Sequence, residues 1–230
     1  MIAEAKRVGC DCVKFQKSDL TFKFTKFALE RPYKSENSWG SSYGEHKTFL
    51  EFSIEQYKFL QSYAHSIGIL FTASAMDIKS LEVLESLDVP FIKIGSGDAN
   101  NFPLLKKAAN LEVPLIISTG MQSLDTIKEI VKIMTDAKKR NYALMHCVSS
   151  YPTKPEDCNL KTITLLQDMF PSVPIGYSGH EVGINITRPP GPWTVHRRSM
   201  DQFGDLGKAT EISSEKERNY QTLSVKEKNI

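Results

Sequence analysis

The sequence predicts an α/β fold, an incomplete (β/α)8 barrel of the TIM type with about six of the eight strands, followed by a C-terminal tail without regular structure. Three observations predict it. From Cys12 to Ser178, short apolar runs rich in β-branched and aromatic residues alternate with stretches of helical periodicity, the rhythm of successive βα units. Nearly every apolar run ends in polar or charged residues, whereas an open doubly wound sheet gathers its functional residues at one switch point. Beyond about Thr187 the periodicity stops.

Taken in chain order, residues 1–8 read as the end of a helix. Strands are expected at 12–16, 69–73, 91–94, 115–118, 142–147 and 174–177, whose near-continuous hydrophobicity is that of strands covered on both faces. Helices are expected at 54–67, 78–87, 103–109, 124–134 and 160–169. The first carries Tyr57, Leu60, Tyr63, Ala64 and Ile67 on one stripe. Ser53, Ser123 and Asn159 stand where N-caps belong. Between Gln16 and Ser53 lies a long insertion containing Glu30-Arg31-Pro32-Tyr33 and Trp39-Gly40-Ser41-Ser42-Tyr43-Gly44-Glu45-His46. Connections of that length are functional or disordered, and its aromatic content favours an ordered one. Arg188-Pro189-Pro190-Gly191-Pro192 then breaks any regular element, so the domain is set at 1–187 and residues 188–230 are expected to be disordered.

The 230 residues are 40% hydrophobic and 24% charged with a formal net charge of +2, which suits one sizeable core. Charge so close to balance gives no general case for nucleic acid or an anionic membrane as partner. No run approaches the roughly 18 apolar residues of a membrane helix, and the charged start is unlike a signal peptide, so a cytoplasmic location is expected. Cys10, Cys12, Cys147 and Cys158 lack metal or redox spacing and read as reduced thiols.

Chemistry must therefore be assembled from strand ends. Lys93-Ile94-Gly95-Ser96-Gly97-Asp98 sets a lysine before a Gly-Ser-Gly corner whose backbone N–H groups suit an oxyanion such as phosphate, unless the corner is a plain turn and Lys93 a solvated rim residue. Ile117-Ser118-Thr119-Gly120-Met121 is a similar corner, and Lys14 and Ser178 add a cation and a hydroxyl. Asp98 reads either as a general acid or base or as a cap of the following helix. His180 reads as a metal ligand or proton carrier, or as a hydrogen-bonded loop histidine. His46 and His65 read as structural.

These residues resemble a known family. Lys14-Phe15-Gln16-Lys17, Phe71-Thr72-Ala73-Ser74, Lys93 through Pro103, Ser118-Thr119-Gly120-Met121, Ser150-Tyr151-Pro152 and Gly176-Tyr177-Ser178-Gly179-His180 are similar, in order and spacing, to the barrel domain of the sialic acid synthases. The insertion resembles the animal, 9-phosphate-forming branch. The resemblance covers about residues 1–186. It implies a transferase that joins phosphoenolpyruvate to N-acetylmannosamine 6-phosphate, or to N-acetylmannosamine, in sialic acid biosynthesis. It implies that Lys14, Lys93, Ser96, Ser118 and Ser178 hold phosphoenolpyruvate, and that Gln16, Ser74, Asp98 and Tyr151 face the amino sugar. Ser149 stands where bacterial relatives often carry an asparagine that contacts the phosphate. His180 would be one of two histidines binding Mn²⁺ or Mg²⁺, and the family implies a homodimer. Alternatives are a non-catalytic truncated isoform that interacts with full-length synthase, and a Schiff-base aldolase using Lys93 or Lys14.

The family's first and eighth barrel strands, the latter with the second metal histidine, and its small C-terminal domain have no counterpart here. The change after Gly183-Ile184-Asn185-Ile186 reads as a splice or gene-model feature. Unpaired edges at 12–16 and 174–177 then expose backbone donors and apolar surface, so the chain is expected to self-associate or unfold readily. Sedimentation velocity with a thermal melt checks this: a monodisperse monomer with a cooperative transition above ~50 °C would overturn the expectation.

Overall fold

In the computed structural model, which describes residues 1–7, 9–35 and 38–181, the apolar runs form six strands. They are β1 (Cys12–Lys17), β2 (Leu70–Ala75), β3 (Ile92–Ile94), β4 (Leu115–Ser118), β5 (Tyr142–Cys147) and β6 (Ile175–Ser178). All five pairings are parallel and the spatial order is β1-β2-β3-β4-β5-β6. Each strand thus lies beside its sequence neighbour, with no reversal of order of the kind that makes a switch point. The fold is an α/β barrel arc of six strands, as the alternation predicted.

The helices α5 (Ile54–Ser66), α6 (Ile78–Ser86), α7 (Phe102–Ala109), α8 (Leu124–Asp136) and α9 (Lys161–Met169) carry the chain from one strand to the next, and α1 (Ile2–Arg7) precedes β1. Local chemistry starts most of them. Ser53 and Gln56 form a reciprocal capping box on α5, and Ser123 accepts from the Thr126 amide on α8. Asn159 does not cap α9: it takes a left-handed φ of 47°, and Leu160 occupies the cap position without a side-chain bond. Asparagine tolerates that backbone better than most residues, and the turn uses it for this instead.

The insertion between β1 and α5 contains α2 (Leu20–Lys23), α3 (Lys26–Glu30) and α4 (Tyr43–Leu50). Asp19, Thr25 and Ser42 cap them, the last in a capping box with Glu45. The aromatic residues make the insertion's own small core: Trp39 stacks on Phe49 at 4.3 Å, and Tyr43 meets Phe24 at 5.4 Å and Tyr33 at 5.5 Å. Arg31 lies over the Tyr43 ring at 4.4 Å. His46 accepts from the Trp39 amide, which bears out its structural reading.

Period-two alternation divides the strands into two faces. Val13, Phe15, Phe71, Ala73, Ile92, Ile94, Leu115, Ile117, Leu144, Ile175 and Tyr177 pack with the helices in the main core. On the other face Cys12, Phe91, Ile116 and Met145 form a second, smaller cluster with Leu70 against it. All four cysteines are free thiols. The expected disorder of 188–230 falls outside the described residues.

Ile117 is fully buried between β4's neighbours and the helices. Ile117→Ala is expected to cost about 2–5 kcal/mol in urea unfolding, against less than about 0.5 kcal/mol for Leu165→Ala on the exposed side of α9.

Candidate functional site

The face that carries the small cluster turns polar towards the carboxyl ends of the strands. By alternation Lys14 and Gln16 follow Cys12, Thr72 and Ser74 follow Leu70, Lys93 follows Phe91, and Ser118 follows Ile116. Register sets them side by side: Lys14 opposite Thr72, Gln16 opposite Ser74, Ser74 opposite Lys93, and Cys147 opposite Ser178. Distant positions therefore meet because a parallel sheet in sequential order keeps equal heights together.

Lys93 is 8% exposed, so it is not the solvated rim residue that its position also allowed. Its ammonium donates to the Ser118 hydroxyl and, at 3.3 Å, to the Ile94 carbonyl. Ser96 and Ser149 hydroxyls meet at 3.1 Å, which brings the strand-end corners after β3 and β5 together. Gln122, which the sequence did not single out, donates to the Ser96 carbonyl at 2.7 Å and ties the corner after β4 to the same place.

The Gly-Ser-Gly corner differs from its expected form. Residues Ser96–Asp98 make a 3-10 turn in which the Asp98 amide bonds the Gly95 carbonyl and the Ala99 amide bonds the Ser96 carbonyl. Two N–H groups are thus spent within the turn, and the hydroxyl and carbonyl of Ser96 make the corner's contacts with the β5 and β4 connections. A Cβ at Gly95 or Gly97 would meet nothing within 4 Å, so no close contact requires glycine at either position. Gly120 is different, since a Cβ there would stand 2.6 Å from Cys147 Sγ and from Ser149 Oγ. The close approach of the β4 and β5 corners requires glycine.

Asp98 does not cap α7; Asn101 does, accepting from the Leu104 amide. Instead its carboxylate pairs with Lys23 of α2 at 2.7 Å. Burial pushes the Asp98 carboxyl up from its ordinary range, and the Lys23 ammonium opposes that shift. Tyr151, after β5, and His180, after β6, meet as tilted rings 4.5 Å apart between centroids, with the Tyr151 hydroxyl 3.5 Å from His180 Nε2. Tyr151 is 70% exposed and Gln16 is also exposed. Among the described residues no group of three or more His, Cys, Asp and Glu side chains is placed to hold a metal, and His180 offers one imidazole. These residues do not by themselves make a metal centre.

The arrangement is a cationic and hydroxyl-rich seat at the base, with a carboxylate, an amide and an aromatic pair towards the opening. It suits an anion below and a polyhydroxylated molecule above. The NeuB family model matches residues 1–189. The chain belongs to the NeuB family. It is 62% identical over 188 residues to N-acetylneuraminate-9-phosphate synthase of Drosophila melanogaster and 55% identical over 187 residues to that of Homo sapiens. Those matches take in 82% and 81% of this chain but 50% and 52% of the relatives, so the chain spans about half the length of the curated proteins it matches. The sialic acid synthetase of Leptospira borgpetersenii serovar Hardjo-bovis, crystallised with citrate, superposes with a TM-score of 0.67 at 28% identity, over 99% of this chain and 76% of that one. A DAHP synthase of Thermotoga maritima shares the fold, with a TM-score of 0.55 at 13% identity over 98% of this chain and 62% of that chain.

Gly120→Ala tests how this NeuB-family face is held. The added methyl must push Ser149 and the end of β5 aside, with an expected loss of about 1–3 kcal/mol in urea unfolding.

Proposed function

We propose that this chain is the substrate-binding part of a phosphoenolpyruvate-dependent synthase, which condenses phosphoenolpyruvate with N-acetylmannosamine 6-phosphate to give N-acetylneuraminate 9-phosphate and inorganic phosphate. The observation that carries the reading is the buried Lys93 ammonium on Ser118, beside the Ser96 and Ser149 hydroxyls, at the carboxyl end of a barrel arc. A cation so placed favours a compact, highly charged anion. The relatives' names supply the product, N-acetylneuraminate 9-phosphate, and with it the phosphorylated amino sugar proposed as acceptor.

In the proposed reaction C3 of phosphoenolpyruvate forms a bond to the aldehyde carbon of the open-chain sugar. Water adds at C2, and phosphate leaves with its bridging oxygen as the C–O bond breaks. Lys14, Lys93, Ser96, Ser118, Ser149 and Ser178 hold the carboxylate and phosphate, screening charge between two anionic substrates. Gln16, Ser74 and Tyr151 orient the sugar, and Asp98 accepts a proton from the attacking water, which balances the proton taken up by the alkoxide formed from the aldehyde oxygen. His180 alone would not hold a Mn²⁺ or Mg²⁺ ion; with further ligands it would be one of the residues holding it, and the ion would supply a Lewis acid for the aldehyde oxygen. No step above runs through the ion. A homodimer and a cytoplasmic setting are likewise proposed, and no helix of the described residues is long and apolar enough to cross a membrane.

Isothermal titration with phosphoenolpyruvate tests the reading directly. The chain is expected to bind it, and Lys93→Met to weaken binding by about 10- to 100-fold, the size of one lost charge-assisted hydrogen bond. Equal affinity in the two proteins would remove the ground for the proposal. Covalent trapping of a carbonyl substrate on Lys93 by borohydride would replace it with Schiff-base chemistry.

A further inference from the structure

Three strand-end connections that are far apart in sequence are joined at one lysine. Lys23 closes the four-residue helix α2, the first element of the insertion after β1. Its ammonium donates to the Met76 carbonyl, just past β2, at 2.8 Å and to Asp98 Oδ1, on the turn after β3, at 2.7 Å. The lysine and aspartate side chains are only 17% and 14% exposed. This is therefore a shielded ion pair with a further hydrogen bond, unlike the exposed pairs Lys26–Glu30 and Lys128–Asp125 on helix surfaces.

We propose that Lys23 is a positioning residue that holds the Asp98 carboxylate in place, as an anion, at the edge of the substrate face. The inference rests on the synthase reading in one respect, that Asp98 serves there as the proton-accepting group. Asp98 sits in the same turn as Ser96, whose hydroxyl touches Ser149 and whose carbonyl is held by Gln122. Fixing one end of this turn from the insertion and the other from the β4 corner leaves its side chains little freedom.

The charges around Asp98 explain why a cation is needed. Burial disfavours its ionised form, and the carboxylate of Asp77, at the start of α6, disfavours it further. Lys23 supplies the opposing charge. Lys47 of α4 feels the charge of Lys23, which disfavours its ammonium, and that of Glu51, which favours it. Without Lys23 the nearest charge on Asp98 is a like charge in a shielded place, so the carboxyl keeps its proton to higher pH and cannot accept another. In the folded chain Asp98 is raised above its unfolded value, so ionising it opposes folding as pH rises through that interval, and Lys23 narrows the interval.

The test is a carbon-13 NMR titration of the full chain labelled at aspartate Cγ, with the Asp98 signal assigned by its absence in Asp98→Asn. Lys23→Met is expected to move the Asp98 midpoint upward by about one pH unit or more, and Lys23→Arg to restore it in large part. An unchanged midpoint in a folded Lys23→Met chain would overturn the proposal. A second measurement needs no variant that weakens folding: with nitrogen-15 at lysine Nζ, the Lys23 signal of the unaltered chain is expected to titrate with the Asp98 midpoint, and a flat Lys23 response through it would also overturn the proposal. Phosphoenolpyruvate titration of the same samples separates the two readings. Failure of the unaltered chain to bind counts against the synthase, whereas the coupling of Lys23 to Asp98 is read without any substrate.

Discussion

The alternation of side chains along each strand of this sheet decides what meets the helices and what meets its counterparts inside the arc. The rest of the structure depends on that constraint. Because the strands are parallel and in sequential order, alternate positions at equal height come from neighbouring strands, so Gln16, Ser74, Lys93, Ile116 and Ala143 fall in one chain of register. A slip of one residue in any strand would exchange its core side chains with its polar ones. Below Lys93 the same face is apolar, with Phe91, Ile116 and Met145 packed together. That floor keeps water from the underside of the polar layer and raises the effective strength of every charge above it.

Burying an ammonium in such a place costs free energy unless dipoles replace its water. The Ser118 hydroxyl and the Ile94 carbonyl do part of this for Lys93. An oxyanion would add a full opposing charge at a point where the solvent is already largely displaced, and this is how a site gains affinity without reorganising. The same reasoning applies to Asp98 with the sign reversed. Its partner Lys23 is part of the fold, so the carboxylate is provided for before substrate arrives.

Much of this was legible in the sequence, and the reasons differ by element. Residues 115–118 and 142–147 announce β4 and β5 at their observed bounds because β-branched and aromatic runs there are flanked by Asn and Pro or by Ser and Thr. The polar corners after β3 and β4 were legible because glycine beside serine or threonine after an apolar run has few structural uses. Asn159 misled because the same residue type favours both an N-cap and a left-handed turn, and only the path of the chain decides between them. Lys23 and Gln122 left no signal, since a lysine in a polar insertion and a glutamine after a turn resemble solvated residues. Their partners lie 75 and 26 positions away. Single-sequence periodicity carries information over a few turns of helix and is silent about such pairs.

The insertion shows how a segment outside the barrel pattern becomes part of the site. It has its own aromatic core, and besides Phe52 on Phe15 it is joined to the barrel by polar contacts: Lys17 to Glu51 at 2.7 Å, the Asp19 amide to Asp77 at 2.8 Å, and Lys23 to Asp98 at 2.7 Å. Asp77 also caps α6 through Ser80, so one carboxylate orders both the end of β2 and the start of the insertion. Contacts of this kind depend on geometry more steeply than apolar packing does. Local opening of the insertion would therefore release Asp98 along with Lys23, while leaving the sheet and its helices intact. A ligand that binds only when Asp98 is held in place must then stabilise the insertion by the free energy of its own binding. Through this linkage, the segment with the least regular sequence is coupled to the chemistry at the strand ends.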